Sequence, residues 1–354
     1  MSDVFIAGTA TAFPKPISSR EVADKFYPPH LCSDRTVKLA RRLANSFGIK
    51  TRTVCLDLER IPEKVLSSPA NHPVLWCSTL IEQLSSIVRL TEIGYVGVAY
   101  NTTLHTNSLP NLACQAAMRC GINPEVAPEE FAHYGCAGGF FPLENAIQYC
   151  KRNEKAAIVI VFDQCTSAAS FCYDQNDPLF TMDLKVNLLF SDGAAAVLVI
   201  PERMRNLIAG LLPKIEYLLT GFHLSDVIRF DDRRFIVGDT VKDTIPSLVS
   251  RSVIKPILSK QRLLPEHIRE WSIHQGGSEV LERFRNQDTL GLTDLQLTRS
   301  NELFVRFGNL SAPSCFFVFD SLFRESSEKD SGQLGMIVGF GAGFYHGAVL
   351  YRWV

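Results

Sequence analysis

The sequence predicts an α/β protein in which sheets and helices lie in alternating layers. Three observations carry this reading. Short runs that are apolar throughout and rich in β-branched residues recur along the chain, as in strands covered on both faces. Between them lie stretches whose apolar residues are spaced by three and four, the mark of helices with one buried face. The same order of elements then recurs in the second half, in pattern although not in letters.

The predicted strands of the first half are VFIAGTA near the start, YVGVAY at 95–100, AAIVIVF at 156–162 and AAAVLVI at 194–200. Those of the second half are KIEYLLTGF, EWSIHQ, LGMIVGF and HGAVLYRW. Helical spacing covers residues 35–47, 109–120, 140–152, 245–258 and 311–324. The segment ERMRNLIAGLLP interrupts two strands with charge, glycine and proline, which divides the chain into halves at 1–205 and 206–354. Residues 225–243, crowded with Asp and Arg, read as surface loop.

At 354 residues, 46% hydrophobic and 21% charged, the composition is that of an ordinary globular protein with ample core. The longest apolar runs are strand-sized, well short of the roughly 18 residues a membrane span needs. The opening MSDVFIAGTATAFP lacks the basic and apolar regions of a secretion signal, so a soluble, cytoplasmic protein is expected. A formal net charge of −1 argues against nucleic-acid binding through bulk electrostatics. The 10 cysteines are scattered without a C-x-x-C pair or an alternating Cys/His set, which predicts no metal site, no disulfide framework and a reducing compartment.

Chemistry concentrates in four segments. In HYGCAGGFFPLENA, Cys136 is flanked by Gly135, Gly138 and Gly139 just before a predicted helix. Small residues permit a tight turn, and the helix N-terminus would favour a thiolate. Taken alone, Cys136 reads equally well as one more buried, inert cysteine. In EWSIHQGGSEVLERF, His274 ends a strand beside two glycines, and in VRFGNLSAPSCFFVFD, Asn309 follows Gly308. Each also reads as scaffolding or a cap. The loop at Gly339, Gly341 and Gly343 leads into another strand rather than a helix, which argues against a dinucleotide fingerprint.

Together these segments resemble the thiolase-fold condensing enzymes. The likeness is closest to the ketoacyl-acyl-carrier-protein synthase III group and the chalcone synthase-like (type III) polyketide synthases. It rests on GIKTR at 48–52, GCAGG, LLFSDGAAAVLV at 188–199, IHQGG, FGNLSAPS and the closing VGFGAGFYHGAVLYRW, in family order along essentially the whole chain. It implies a thiolase-like fold of two duplicated halves in α-β-α-β-α layers. It implies too that Cys136 takes an acyl group as a thioester, while His274 and Asn309 donate hydrogen bonds to the enolate of a decarboxylating malonyl-type or 3-ketoacyl extender. The tetrahedral oxyanion would rest on backbone N–H groups of Cys136, Gly341 and Ala342, and His274 would help to hold the thiolate. No metal or redox cofactor is implied, only acyl-CoA or acyl-carrier-protein thioesters as substrates.

The resemblance further implies a homodimer joined along the strand AAIVIVFDQ, with residues 104–108 reaching toward the partner's cavity. Asp192 and Gly193 would support the cysteine loop. Phe140, Phe141 and Phe344 are candidates to line an acyl channel, although apolar side chains at such places more often belong to the core. Where initiating synthases carry a tryptophan and an arginine to clamp adenine, this chain has Arg42 and Ser46. Arg42 and Arg52 are thus candidates for substrate contact, and both stand in a basic stretch suited to a carrier protein. IHQGG leans to the polyketide side and the ending, with His346, to synthase III, which points to specialised metabolism. Acyl transfer to an oxygen or nitrogen nucleophile, and a partner subunit of a heteromeric ketosynthase, are the competing functions; the C-G-S-C-W signature of papain-like hydrolases is absent.

Overall fold

In the computed structural model of the chain, residues 2–105, 109–231, 234–238 and 240–354 are described. Residues 106–108, expected to reach a partner, lie outside them. One nine-stranded sheet carries the architecture. Its spatial order is Ile268–Ile273, Leu334–Phe340, His346–Trp353, Pro213–Gly221, Val4–Ala12, Asp192–Pro201, Ala156–Gln164, Ile93–Tyr100 and Glu129–Ala132. The strand Ile93–Tyr100 runs parallel to Ala156–Gln164, which is antiparallel to Asp192–Pro201, itself antiparallel to Val4–Ala12. The other half repeats the pattern: Ile268–Ile273 parallel to Leu334–Phe340, then His346–Trp353 and Pro213–Gly221, each antiparallel to the one before. The two meet edge to edge at Phe5 and Lys214. Duplication, invisible letter by letter, is explicit in the strand order.

The helices Phe140–Arg152 and Ser314–Glu325 pack against strands of both halves. Their inward faces join one core in which Phe140, Phe316, Phe317, Val161 and Val349 are buried. Two further cores lie on the outer faces of the N-terminal and C-terminal halves. This central helical layer between two sheet regions, covered again outside, is the layered arrangement predicted. All eight predicted strands and all five predicted helical segments are present, with ends moved by a few residues. Among the described residues no helix is long and apolar enough to cross a membrane.

Three expectations are corrected. The strand Ala156–Gln164 is not an edge: it is hydrogen-bonded on both sides, and Glu129–Ala132 ends the sheet beyond it. The stretch 225–243 is not simply loop but holds a hairpin, Ile228–Asp231 with Arg234–Val237, pairing Phe230 with Phe235. In that hairpin Ile228, Phe230, Phe235 and Val237 face the cavity described below. Helices at Ser19–Phe26, Pro73–Leu84, Phe180–Leu189 and Asp294–Phe307 were not anticipated. Pro73–Leu84 is mostly apolar, with Thr79, Glu82 and Gln83 as its exposed strip, and so shows only a weak amphipathic period.

Candidate active site

The parallel strands aim their carboxyl ends at one region, where α/β proteins place their ligands. Tyr100 gives way to Asn101, Ile273 to His274 and Phe340 to Gly341, while Asp163 closes the central strand. Cys136 lies in the single 3-10 turn Gly135–Ala137, immediately before the helix Phe140–Arg152. Opposite it stands the closing glycine loop, backbone against backbone. A Cβ at Gly341 would meet the Cys136 nitrogen at 2.1 Å, and one at Gly135, whose φ is +58, would meet the Ala342 nitrogen at 2.5 Å. Glycine is required on both sides for the loops to approach so closely.

One cavity of about 460 Å3 is bordered by Cys136, His274 and Asn309 together, and also by Gly341 and Ala342. Asn101, Thr102, Cys165 and Ser311 complete its polar end, and Phe190, Phe230, Phe235 and Ile245 line its apolar end. His274 is 2% exposed, its backbone N–H donates to Val338 O at 2.9 Å, and its ring meets Phe340 edge-on. Asn309 is fixed by its backbone N–H to Leu189 O at 3.1 Å and by its Oδ1, which accepts from the Ser311 N–H at 2.8 Å. That bond orients the carboxamide and turns Nδ2 outward, where it donates to Gly276 O at 3.4 Å and keeps a second N–H.

Electrostatics here differ from the expectation. Burial pushes the Cys136 thiol up to about 12, only partly offset by the hydroxyl of Ser311. Burial also holds the His274 imidazole down at about 3. The resting pair is a thiol and a neutral imidazole: dehydration outweighs the helix N-terminus that predicted a thiolate. The polar neighbour of the sulfur is Ser311, with Oγ 3.4 Å from Sγ, rather than His274. His274 Nδ1 is buried with no hydrogen-bond partner among the described residues.

Other candidates fall elsewhere. Phe140 is fully buried against Phe316 and does not border the cavity. Phe344 is likewise a core side chain, and Phe141 packs on Tyr134 and Tyr345. Apolar side chains beside a reactive cysteine can serve core or channel alike, and here packing claims them. Phe140→Ala is expected to cost about 3–5 kcal/mol of stability without changing acyl preference, as thermal unfolding and a donor panel would show. Arg42 is exposed on the helix Asp34–Ser46. Arg52 is no surface cation: it is 0% exposed, donating through Nε to Ser191 Oγ at 2.7 Å. The N–H of Gly341, expected in the oxyanion hole, is committed to Tyr345 O at 2.9 Å, leaving the Cys136 and Ala342 positions to face the cavity.

Asp192 is structural, but it does not hold the cysteine loop. Its carboxylate accepts from the Cys55 N–H at 2.6 Å and from the Thr166 N–H at 2.8 Å, while neighbouring Ser191 donates its N–H to Asn309 O at 2.8 Å. The turn therefore positions Asn309. Sequence reasoning passed over Asp163, Ser311 and the hairpin phenylalanines. A carboxylate ending the otherwise apolar AAIVIVFDQ was the one available signal for the first.

Comparison with known proteins agrees with this geometry. Residues 240–354, which hold His274 and Asn309 but not Cys136, match the family described as chalcone and stilbene synthases, C-terminal domain. A 1,3,6,8-tetrahydroxynaphthalene synthase of Streptomyces peucetius subsp. caesius is 26% identical over 89% of this chain and 84% of its own length. A type III polyketide synthase B of Arabidopsis thaliana is 22% identical over 98% of this chain and 94% of its own. Among solved structures, the C-terminal type III polyketide synthase domain of Steely1 from Dictyostelium superposes with a TM-score of 0.79 at 17% identity, covering 99% of both chains. The 1,3,6,8-tetrahydroxynaphthalene synthase of Streptomyces coelicolor A3(2) gives 0.79 at 20% identity, also over 99% of both. At these identities the solved structures speak to the shared fold, which is thiolase-like.

Proposed function

We propose that this chain, an enzyme of the type III polyketide synthase family, joins a Cys136-bound acyl group to a malonyl-type thioester by decarboxylative Claisen condensation. The observation that carries this reading is the meeting of a thiol, a neutral imidazole and an oriented carboxamide on one cavity. Cys136 attacks the donor thioester and expels its thiol. The extender then loses carbon dioxide, and its enolate oxygen accepts hydrogen bonds from His274 and Asn309, two neutral donors in a site with little water. The enolate carbon attacks the acyl-cysteine, and collapse of the tetrahedral oxyanion returns the sulfur. Electrons and atoms balance among the thioesters alone, so no metal or redox cofactor is called for.

Coenzyme A is the favoured carrier. Arg52, counted in the basic stretch that would greet a carrier protein, is buried and removed from that surface. A homodimer is proposed on the family likeness, with the partner's contact sought away from Ala156–Gln164. The apolar end of the cavity, walled by the hairpin phenylalanines, suits an aliphatic or aromatic acyl chain.

The test is intact-protein mass after mixing with acyl-CoA and acyl-carrier donors of several lengths, followed by malonyl donor and measurement of carbon dioxide. A mass gain lost in Cys136→Ala, with carbon dioxide released on extension, supports condensation. Acylation without carbon dioxide points to transfer onto an oxygen or nitrogen nucleophile, and no acylation with any donor to a scaffold subunit. The depressed basicity of His274 adds a prediction about pH. An imidazole lowered to about 3 stays neutral on both sides of the usual histidine range, so malonyl decarboxylation by Cys136→Ala should be flat between about pH 5.5 and 8. A titration centred near 6.5 would show an ordinary histidine instead.

A further inference from the structure

The hairpin over the cavity has little of its own to hold it. Ile228–Asp231 and Arg234–Val237 are four residues each and pair with one another, not with the nine-stranded sheet. A lone two-stranded ribbon is marginal in water. Its apolar side chains, Ile228, Phe230, Phe235 and Val237, border open cavity rather than a filled core, and Phe230 remains 47% exposed. The packing that secures an ordinary hairpin is therefore incomplete here.

We propose that Arg234 makes up the difference as a positioning residue, clamping the hairpin to Asp177 and Asp183 and thereby setting which acyl groups the cavity accepts. The inference rests on Cys136 being acylated in the reaction proposed above.

Side chains alternate along a strand, so Arg234 and Phe235 leave it on opposite faces. Phe235 goes to the cavity. Arg234 Nη1 and Nη2 donate to the two carboxylate oxygens of Asp177 at 2.5 and 2.7 Å, and its Nε lies 3.6 Å from Asp183 Oδ2. An ion pair on an open surface contributes little, because water and salt screen it. This one is sheltered: the side chains of Arg234, Asp177 and Asp183 are 24%, 22% and 2% exposed.

Both carboxylates belong to a fixed part of the body. Asp177 Oδ1 also accepts from the Leu179 N–H at 2.8 Å, and its C=O from the Phe180 N–H at 3.0 Å, which places it at the start of the helix Phe180–Leu189. Asp183, inside that helix, accepts from Ser170 Oγ at 3.0 Å. The far end of the helix turns to the cavity through Val186, Leu189 and the following Phe190, and Leu189 O holds the Asn309 N–H at 3.1 Å. There the Phe190 ring meets Phe235 edge-on, centroids 5.3 Å apart. Hairpin and helix thus touch by charge at one end and by aromatic packing at the other. The charged contact is the directional one: apolar burial is indifferent to angle, whereas a bidentate fork fixes both distance and angle.

Selection follows from a wall of fixed position. Each methylene of an acyl chain that reaches apolar surface improves binding roughly fourfold, and a chain that runs into an unyielding wall is refused. A wall that shifts accommodates many chains. Arg234 does not border the cavity, so its effect is read in the choice of donor.

The test compares Arg234→Met, Asp177→Asn and the double variant with the wild-type chain. Single-turnover acylation of Cys136 by acetyl-, hexanoyl-, lauroyl- and benzoyl-CoA is followed by intact mass, and amide hydrogen exchange is measured on peptides covering the hairpin with no donor present. Each single variant is expected to exchange about tenfold faster in the hairpin and to show a best-to-worst donor ratio reduced about tenfold. The double variant should add little to either, since both substitutions break the same contact. Arg234→Lys, with a point charge in place of the fork, should recover part of the discrimination. Unchanged hairpin exchange in Arg234→Met overturns the clamp. Faster exchange with an unchanged donor ratio, or acylation slowed equally for every donor, overturns its role in selection. Asp177→Asn keeps the Oδ1 acceptor for the Leu179 N–H and decides alone where Arg234→Met fails to fold. A wild type that no donor acylates sinks the condensation reading and donor selection with it. Acylation with the same donor preference in wild type and variants leaves condensation standing and removes this proposal alone.

Discussion

Replacing His274 by alanine is expected to lower product formation about 10²–10³-fold while acyl-Cys136 still accumulates. The separation follows from where charge develops. Acylation is attack by sulfur, whose polar neighbour is Ser311 at 3.4 Å. Decarboxylation places negative charge on an enolate oxygen, and the neutral imidazole and the Asn309 carboxamide are the donors able to receive it. Asn309→Asp is the sharper companion variant. It keeps an acceptor for the Ser311 N–H, normally 2.8 Å from Oδ1, and removes the Nδ2 donor. Single-turnover mass spectrometry separates the steps: an acyl adduct that forms and then waits supports these roles. An adduct failing to form in His274→Ala would assign the histidine to thiolate formation and contradict these roles.

The layered fold was legible because its central strands are apolar without alternation, as AAIVIVF and AAAVLVI are, and because helices such as Phe140–Arg152 keep a clear 3.6-residue period. Pro73–Leu84 escaped notice because its exposed polar strip is short, Thr79, Glu82 and Gln83, and the rest of the helix is mostly apolar and buried. The hairpin over the cavity escaped because its charges cluster in DDRR, masking the apolar residues on either side. At the site, Cys136, His274 and Asn309 were legible through the glycines and small residues that let loops converge. What composition and spacing do not encode is solvation. The thiol, imidazole and guanidinium at 136, 274 and 52 are all shifted chiefly by burial, which depends on residues far off in sequence. That is also why Arg52 read as a surface cation.

The second large effect concerns that arginine and its neighbour. Asp192→Ala is expected to destabilise the fold by roughly 3–5 kcal/mol, read as a lowered denaturation midpoint, and to reduce condensation more than acylation. The carboxylate satisfies the buried Cys55 and Thr166 N–H groups and the Thr166 hydroxyl, and alanine leaves the two N–H groups unpaired and the hydroxyl with Cys55 Sγ alone. It is also the main negative charge offsetting Arg52, whose basicity burial has already lowered to about 10 and whose Nη1 has no partner among the described residues. Without Asp192 the guanidinium is left as an uncompensated buried cation. Arg52 donates to Ser191 Oγ, and the Ser191 N–H in turn holds Asn309 O at 2.8 Å, so relaxation of the arginine is transmitted to one of the two enolate donors. Asn at position 192 keeps one acceptor oxygen but not the charge, so it separates the two contributions. If Asp192→Asn matches wild type in stability while Asp192→Ala does not, hydrogen bonding carries the effect. If both fall equally, the charge opposite Arg52 does. Wild-type stability in Asp192→Ala would mean that neither interaction holds this turn.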